Sequence, residues 1–222
     1  MKKYSIIIPA AGQGLRMKGH GPISLLPIRN TTIIENQLRV INKRFHNFKE
    51  IILITGLYSK KVMDATPNNI IKIENVYYET TNVMKSIGIG LRACTTNRIL
   101  IIYGDLVFNI SALKTSFDKS CIIMAKNTMS NNEIGATIIN GKLSQLSYDL
   151  PHKWAQIVFL TGKELKLLKQ IIWDYEKNTW FGFETINAIL SKGGSFDAIQ
   201  PPRIKVNDID TLADLQKAQN LL

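Results

Sequence analysis

Cysteine and histidine are scarce in this sequence of 222 residues, which contains two cysteines and three histidines. Cys94 and Cys121 are each isolated in apolar surroundings, which indicates buried thiols. The histidines are scattered along the chain, so neither a zinc-type Cys/His spacing nor a Ser-His-Asp or Cys-His arrangement can be recognised. These absences argue against a zinc site and are consistent with chemistry that needs no covalent intermediate.

Long apolar runs are also missing, since no stretch approaches the roughly 20 residues of a membrane-spanning helix. The N-terminal apolar run Ile6–Pro9 is short, and the small residues Ala10, Ala11 and Gly12 follow it at once. This pattern favours a first β-strand over a signal peptide. We therefore expect a cytoplasmic protein with no membrane partner.

Acidic residues are few, because 17 Asp and Glu face 28 Lys and Arg and give a net charge of +11. The excess is concentrated in residues 1–110, where 15 basic and 6 acidic residues give a net charge of +9. Such a half attracts polyanions, whether nucleic acid, an anionic membrane or a phosphorylated small molecule. The remaining composition, with 45% hydrophobic residues, is that of a globular protein and excludes disorder, collagen and coiled coil.

Short β-branched runs alternate with helical patterns in the first half of the chain. The predicted strands are Tyr4–Pro9, Glu50–Thr55, Asn69–Val76 and Arg98–Gly104, and the predicted helices are 32–45, 58–65 and 82–95. Runs 51–54 and 99–102 are apolar on both faces, as expected of central strands covered by helices on each side. The order predicts an α/β fold with a Rossmann-like, doubly wound, mostly parallel mixed sheet in a three-layer α/β/α arrangement.

After Asp105 the pattern changes to short strands separated by turns, with Asn140-Gly141 as a hairpin signal. The predicted strands are Ser120–Lys126, Gly135–Asn140, Lys142–Ser147, Trp154–Leu160, 195–200 and 203–206, and the predicted helices are 162–176, 182–192 and one from about 211. Capping boxes are predicted for Thr32 with Glu35, Thr161 with Glu164 and Thr211 with Asp214. No linker or repeat interrupts the chain, so residues 1–222 are predicted to be a single domain.

A loop of small residues follows the first strand and reads Pro9-Ala10-Ala11-Gly12-Gln13-Gly14-Leu15-Arg16-Met17. Small side chains let backbone N–H groups approach phosphates or a base closely, and Arg16 adds a permanent cation. A dinucleotide fingerprint would need glycine where Met17 stands, and the Gly-Lys-[Ser/Thr] of a P-loop is absent. The plainer alternative is a tight strand-to-helix turn.

This loop, together with Pro22 and Leu25-Leu26-Pro27-Ile28, resembles the signature of the nucleoside-triphosphate transferase superfamily. Its members have a glycosyltransferase-A-like fold and include sugar-1-phosphate nucleotidyltransferases, molybdenum-cofactor guanylyltransferases and phosphocholine cytidylyltransferases. The resemblance implies that the loop wraps a nucleoside triphosphate, with contacts from Ala10, Ala11, Gly12, Gly14 and Arg16.

One position departs from the family pattern. The family places Pro-Lys before the Leu-Leu-Pro segment, and its lysine contacts the phosphates under attack, whereas this chain reads Pro22-Ile23-Ser24. Loss of one preorganised charge stabiliser costs roughly 10²–10³ in rate. Either another cation such as Lys18 substitutes, or the chain is a weak or inactive nucleotide-binding member.

Acidic residues follow two predicted strands. Asp105 ends a buried strand after Gly104, at the edge where open α/β sheets bind ligands. Asp208 and Asp210 alternate in an extended segment, which places them on one side of the chain, although both could simply be polar residues before a helix. The segment resembles the family's Asp-Ile-Asp-Thr ending, which implies a Mg²⁺ site made by Asp105, Asp208 and Asp210.

Two further polar residues lie four apart on one predicted helical face, namely Asn82 and Ser86. Their segment resembles the Asn-x-x-x-Ser-Leu segment of cytidylyltransferases, which implies that both residues contact the nucleotide. Gly104, next to Asp105, is also predicted to contact the nucleotide. An N-cap and a small helix residue explain the pair equally well. On this interpretation residues 1–110 form the nucleotide-binding half.

The resemblance implies a Mg²⁺-dependent nucleotidyltransferase that joins a nucleotide to a phosphorylated acceptor and releases pyrophosphate. Residues 111–222 would bind the acceptor, either a sugar phosphate or a phosphocholine-like molecule that an aromatic set with a carboxylate could enclose. Each aromatic residue could equally belong to the core. The candidate acceptor contacts are Trp154, Trp180, Glu184, Tyr148 and Phe181.

Three other functions are each suggested by part of the sequence. Nucleic-acid binding fits the charge, but no helix-turn-helix, zinc-finger or interleaved aromatic and basic motif is present. A glycosyltransferase would need Asp-x-Asp after the fourth strand, where this chain reads Asp105-Leu106-Val107. A non-catalytic nucleotide sensor or partner subunit would fit Ile23. The base, the acceptor and the oligomeric state stay open, and a homo-oligomer is compatible with the sequence.

Overall fold

Apolar strand runs and amphipathic helices alternate through a computed structural model that describes residues 3–17, 19–46, 48–125 and 133–221. The strands, in chain order, are β1 (Ser5–Ala10), β2 (Pro27–Ile28), β3 (Thr31–Thr32), β4 (Glu50–Thr55), β5 (Ile71–Glu74), β6 (Arg98–Ile102), β7 (Leu106–Phe108), β8 (Cys121–Met124), β9 (Ile134–Ile139), β10 (Lys142–Tyr148), β11 (His152–Thr161), β12 (Asp197–Ile199) and β13 (Val206–Asp208). The helices are α1 (Ile33–Arg44), α2 (Ser59–Asp64), α3 (Val83–Ala93), α4 (Gly162–Ile172), α5 (Gly182–Ser191) and α6 (Leu212–Gln219). Of the helices in these ranges, none has the length and apolar character needed to span a membrane.

Nine strands form one mixed sheet in the order β5-β4-β1-β6-β11-β8-β12-β10-β9. The four strands at one end of this order, β5, β4, β1 and β6, run parallel, as expected where helices connect successive strands. The long strand β11 is antiparallel to both β6 and β8, and it joins the parallel half to the hairpin half. The predicted α/β class with a doubly wound, mixed sheet is therefore confirmed.

The two faces of the sheet bury separate apolar clusters because side chains alternate along each strand. Ile6 and Ile8 of β1 pack in one cluster with Ile34 of α1. Ile7, between them, packs in the other cluster with Ile87 of α3 and with residues of α4 and α5. Helices on both faces complete the three layers, and the carboxyl ends of β1 and β6 lie side by side at one edge.

Several predicted boundaries need correction. The helix predicted over 162–176 ends at Ile172, and a 3₁₀ turn follows at Tyr175–Thr179, where the Asp174 carboxylate accepts the Glu176 N–H. The strand predicted at 203–206 is observed as β13, Val206–Asp208. Lys126, predicted as the end of a strand, lies outside the described residues. The hairpin at Asn140-Gly141 is confirmed, with positive φ at both residues.

The capping boxes predicted at Thr32 with Glu35 and Thr211 with Asp214 are present. The third prediction was wrong, because the Thr161 hydroxyl donates to the Asn97 carbonyl and gives the helix no side-chain cap. The Glu164 carboxylate instead accepts from the Ser120 hydroxyl at 2.9 Å. Glu164 therefore contacts a residue that is distant in sequence and not the N-cap of its own helix.

Gly104 holds the first strand and the Gly-Asp turn in close contact, since its N–H donates to the Pro9 carbonyl at 3.0 Å. An alanine Cβ at this position would lie 2.6 Å from the Ala10 Cβ and 2.8 Å from the Ala10 Cα. We expect Gly104→Ala to lower the free energy of unfolding by about 1–3 kcal/mol, measured by urea denaturation, because backbone atoms must shift.

Gly12 provides the matched control for Gly104→Ala. A Cβ at Gly12 would meet no atom within 4 Å, and its φ is not positive. Gly12→Ala should therefore leave the unfolding free energy unchanged or raise it slightly. Equal losses of stability in the two variants would contradict the close approach at Gly104.

Candidate active site

A cavity of about 480 Å³ opens at the carboxyl ends of β1 and β6, the edge where open α/β sheets bind ligands. All residues predicted to contact nucleotide or metal line it: Ala10, Ala11, Gly12, Gly14, Arg16, Asn82, Ser86, Gly104, Asp105, Asp208 and Asp210. The fold thus brings together positions that span some two hundred residues of sequence.

The glycine loop forms one wall of the cavity. A short 3₁₀ turn, Leu15–Met17, follows Gly14, which adopts a positive φ of 59°. Met17 is buried and anchors the loop, whereas Arg16 is 69% exposed in its side chain and reaches Asp210, with Nη1 2.9 Å from Oδ2. The loop therefore presents backbone groups and a guanidinium to the cavity.

Position 23, where the family pattern has lysine, also faces the cavity. Ile23 packs against the glycine loop, with its Cγ1 3.2 Å from where a Cβ on Gly14 would stand. Arg16 is the only cation among the described residues that line the cavity. Lys18, the substitute suggested by sequence, lies outside the described residues.

The three aspartates line the same cavity because β7 and β13 pair antiparallel as a small second sheet. In this register Asp208 lies opposite Leu106, and the Ile209 N–H donates to the Asp105 carbonyl at 3.0 Å. This pairing could not be predicted from the sequence, since strands of three residues are too short to show a pattern. It joins the end of the central strand β6 to the segment before α6.

Asp105 is the electrostatic centre of this group. Its Oδ1 is buried and has no hydrogen-bond partner among the described residues. Burial, followed by repulsion from Asp208 and Asp210, raises the pKa of Asp105 to about 7. Burial also raises the pKa of Asp210, against the lowering effect of Arg16.

Asp208 has two protein partners that the sequence analysis did not identify. Lys153 Nζ lies 2.8 Å from Oδ1, and Gln156 Nε2 donates to Oδ2 at 3.1 Å. Gln156 adopts a positive φ of 54° where the pairing of β11 with β8 shifts register between Trp154 and Val158. The available signal was a lysine directly before the predicted strand Trp154–Leu160, which contains no charged residue.

The donor set fits a divalent cation, although the described residues do not form a ready-made cluster of three ligating side chains around one point. Mg²⁺ takes one or two carboxylates together with substrate phosphates and water. The unpartnered Oδ1 of Asp105, facing two further carboxylates, is an oxygen that a cation would satisfy. Asp105 and Asp210 could take up such an ion directly, whereas Asp208 would have to exchange a partner.

Polar residues line the wall between β5 and α3. Asn82 caps α3 through its Oδ1, which accepts the Val83 N–H at 2.8 Å. The Ser86 hydroxyl is buried and lies 3.3 Å from Asn75 Nδ2. Both predicted residues thus have structural roles and also line the cavity, which Asn75, Gln13 and Tyr78 line as well.

Aromatic residues from the second half close the cavity on the opposite side. Of the candidate acceptor contacts, Trp154, Tyr148 and Phe181 line it, and Phe183 joins them. Trp180 and Glu184 are not among the described lining residues, so this geometry does not support an acceptor contact from either. Glu184 instead accepts the Phe181 N–H at 2.7 Å, and Trp180 lies beneath Lys177.

Comparison with known proteins assigns the architecture. The sequence matches the family described as the MobA-like NTP transferase domain over residues 6–127. No curated protein matches it significantly. Three solved structures that share the fold are 14–16% identical to this chain. The CTP:phosphocholine cytidylyltransferase from Streptococcus pneumoniae has a TM-score of 0.81 at 16% identity over 99% of each chain, and the inositol-1-phosphate CTP transferase from T. maritima has a TM-score of 0.81 at 16% identity over 99% of this chain and 94% of the other. HddC from Yersinia pseudotuberculosis has a TM-score of 0.75 at 14% identity over 98% of each chain.

Proposed function

Since this chain belongs to the MobA-like NTP transferase family, we propose that it transfers a nucleotidyl group from a nucleoside triphosphate to a phosphorylated small molecule. The observation that carries the proposal is the convergence of the glycine loop, Arg16 and three aspartates in one cavity. Residues 1–110, which contain the glycine loop, have a net charge of +9, and such a charge attracts a small polyanion.

The transfer needs positioning and charge neutralisation more than proton chemistry. An oxygen of the acceptor phosphate forms a bond to the α-phosphorus, the bond to the bridging β-phosphate oxygen breaks, and pyrophosphate leaves with that electron pair. Arg16 and the loop N–H groups would hold the β- and γ-phosphates in line. Asp105, Asp208 and Asp210 would hold Mg²⁺, whose contribution when bound is to neutralise phosphate charge.

The acceptor would enter between the nucleotide and the aromatic wall. Tyr148 and Phe183 contact edge to face at 5.6 Å, and Phe181 stacks on Phe183 at 6.1 Å between ring centroids. Such a wall suits the face of a sugar or a quaternary ammonium. The two cytidylyltransferases of the same fold are named for phosphocholine and inositol-1-phosphate, so both acceptor classes belong in the assay.

A second candidate function rests on Ile23. A cavity that presents an apolar side chain where the family pattern has a phosphate-binding lysine would suit a nucleotide-binding protein of low or no activity. Both candidate functions predict that the protein binds a nucleoside triphosphate, but only the transferase function predicts appreciable catalytic turnover. Pyrophosphate release with Mg²⁺, over a panel of triphosphates and phosphorylated acceptors, separates them.

Replacement of Arg16 tests the triphosphate site. We expect Arg16→Gln to weaken triphosphate binding about tenfold or more, measured by calorimetry, because a charged hydrogen bond to phosphate is lost. Its ion pair with Asp210 is solvent-exposed, so the unfolding free energy should change by about 1 kcal/mol or less.

Lys60→Gln is the matched control, since Lys60 is an exposed cation on α2 with an ion pair of its own to Asp64. It should leave triphosphate affinity unchanged. Equal losses of affinity in the two variants would indicate general charge attraction in place of a site. Absence of both triphosphate binding and pyrophosphate release in the unmodified protein would rule out both candidate functions.

A further inference from the structure

Lys153 is a buried cation beside the candidate metal site. It is 4% exposed, it lies on β11, and its ammonium group contacts the carboxylates of both Glu133 and Asp208. Burial of an ammonium group is unfavourable unless carboxylates compensate it, which explains why Lys153 sits between two of them. Both carboxylate residues line the cavity, so the ammonium of Lys153 lies directly behind two residues of the cavity wall.

Lys153 and a divalent cation would compete for the same carboxylate. One oxygen of Asp208 faces Lys153 and the other accepts from Gln156, whereas the Oδ1 of Asp105 has no partner in the described part of the chain. A cation that bridges Asp105 to Asp208 must therefore compete with Lys153 or with Gln156 for an oxygen of Asp208, and Lys153 is the partner whose positive charge opposes the cation. Lys153 can give up that oxygen without losing all compensation, because Glu133 remains in contact with it.

We propose that Lys153 is a displaceable partner of Asp208. It balances the carboxylates until a divalent cation binds, then turns its ammonium, still held by Glu133, toward the bound phosphates. It thereby supplies the charge that Ile23 cannot. The second step depends on the proposed nucleotidyl transfer, whereas competition for Asp208 does not.

The two steps predict changes of opposite sign in one variant. Lys153→Met keeps an unbranched side chain of similar length but removes the terminal ammonium and its charge, so Mn²⁺ alone should bind about threefold to tenfold more tightly, as measured by electron paramagnetic resonance titration without nucleotide. Pyrophosphate, titrated at saturating Mn²⁺, should bind about tenfold more weakly. Lys153→Arg should restore pyrophosphate affinity at least in part.

Two further variants serve as a substitute for the single variant and as a control. The double variant Lys153→Met with Glu133→Gln removes both charges of one ion pair, and it replaces the single variant if that one does not fold. Lys142→Met is the control, since Lys142 pairs with Asp197 on the neighbouring strands β10 and β12, outside the cavity lining. The control should leave both affinities unchanged.

Weaker or unchanged Mn²⁺ binding in the charge-removed variants would overturn the proposal, because Lys153 would then be a fixed support for Asp208. Unchanged pyrophosphate affinity would overturn its second step. Failure of the transferase function would appear separately, as absent pyrophosphate release from nucleoside triphosphates with unmodified protein.

Discussion

Ile23→Lys is expected to raise the rate of nucleotidyl transfer by about 10²-fold, the size of effect that one preorganised charge stabiliser has on a transition state. The substituted position faces the cavity next to Gly14, so a lysine there would enter the cavity where we propose that the triphosphate binds. The gain should appear mainly in kcat, because negative charge on the departing pyrophosphate grows as the bond to it breaks. The measurement is steady-state pyrophosphate release under saturating Mg²⁺.

Ile23→Met is the control, since it changes the shape of the side chain without adding charge. It should leave kcat within about twofold of the unmodified value. An equal gain in both variants would mean that Ile23 restricts space in the loop. No gain in either would mean that another group already supplies the charge, and Lys153 is the group to test.

The double variant Ile23→Lys with Lys153→Met distinguishes these outcomes. If Lys153 supplies the charge, Ile23→Lys should give a larger gain in kcat when Lys153 is replaced by methionine than when it is present. Neighbouring groups that share one function are expected to be non-additive in this way. Additive effects on kcat would show that the two positions act independently.

The parts of the fold that could be predicted from sequence are those set by local pattern. Runs such as Ile51–Ile54 are apolar on both faces because helices cover both faces of the sheet, and β4 is observed with its predicted bounds. The turn at Asn140-Gly141 was predictable because a tight hairpin needs positive φ at both residues. The Thr32 capping box is also local, since its partner lies three residues away.

The parts that escaped prediction depend on contacts between distant residues. Glu164 faces Ser120 instead of its own helix cap, and Lys153 meets Asp208 only because β11 and β13 come together beneath the cavity. Glu184 looks like an acceptor contact in the sequence but caps a backbone N–H three residues before it. In each case a charged side chain has several possible partners in the sequence, and the tertiary packing determines which of them it contacts.

Asp105→Asn is expected to slow nucleotidyl transfer strongly and, when no divalent cation is present, to stabilise the protein. Loss of a charged ligand at the candidate metal site should lower kcat by at least about 10²-fold. The same change removes a carboxylate that the fold holds buried beside Asp208 and Asp210. Activity and stability should therefore change in opposite directions.

The stability gain should depend on pH in a definite direction. The pKa of Asp105 rises from 3.8 to about 7 on folding. Below pH 4 the carboxyl is protonated in the folded and unfolded states, so the two proteins should differ little. As the pH rises from 4 through 7, the folded state retains a proton that the unfolded state releases, and the unmodified protein loses stability relative to the variant. The difference approaches an upper limit of roughly 4 kcal/mol above pH 7.

Unfolding in urea at pH 4 and pH 8, with a metal chelator present, measures this difference. Addition of Mg²⁺ at pH 8 should stabilise the unmodified protein and have little effect on Asp105→Asn, because a ligand that binds only the folded state shifts its stability. A variant that is less stable at pH 8 than the unmodified protein would contradict the raised pKa. Equal stabilisation of both proteins by Mg²⁺ would place the cation elsewhere, because the carboxylate held at the end of β6 would then contribute nothing to its binding.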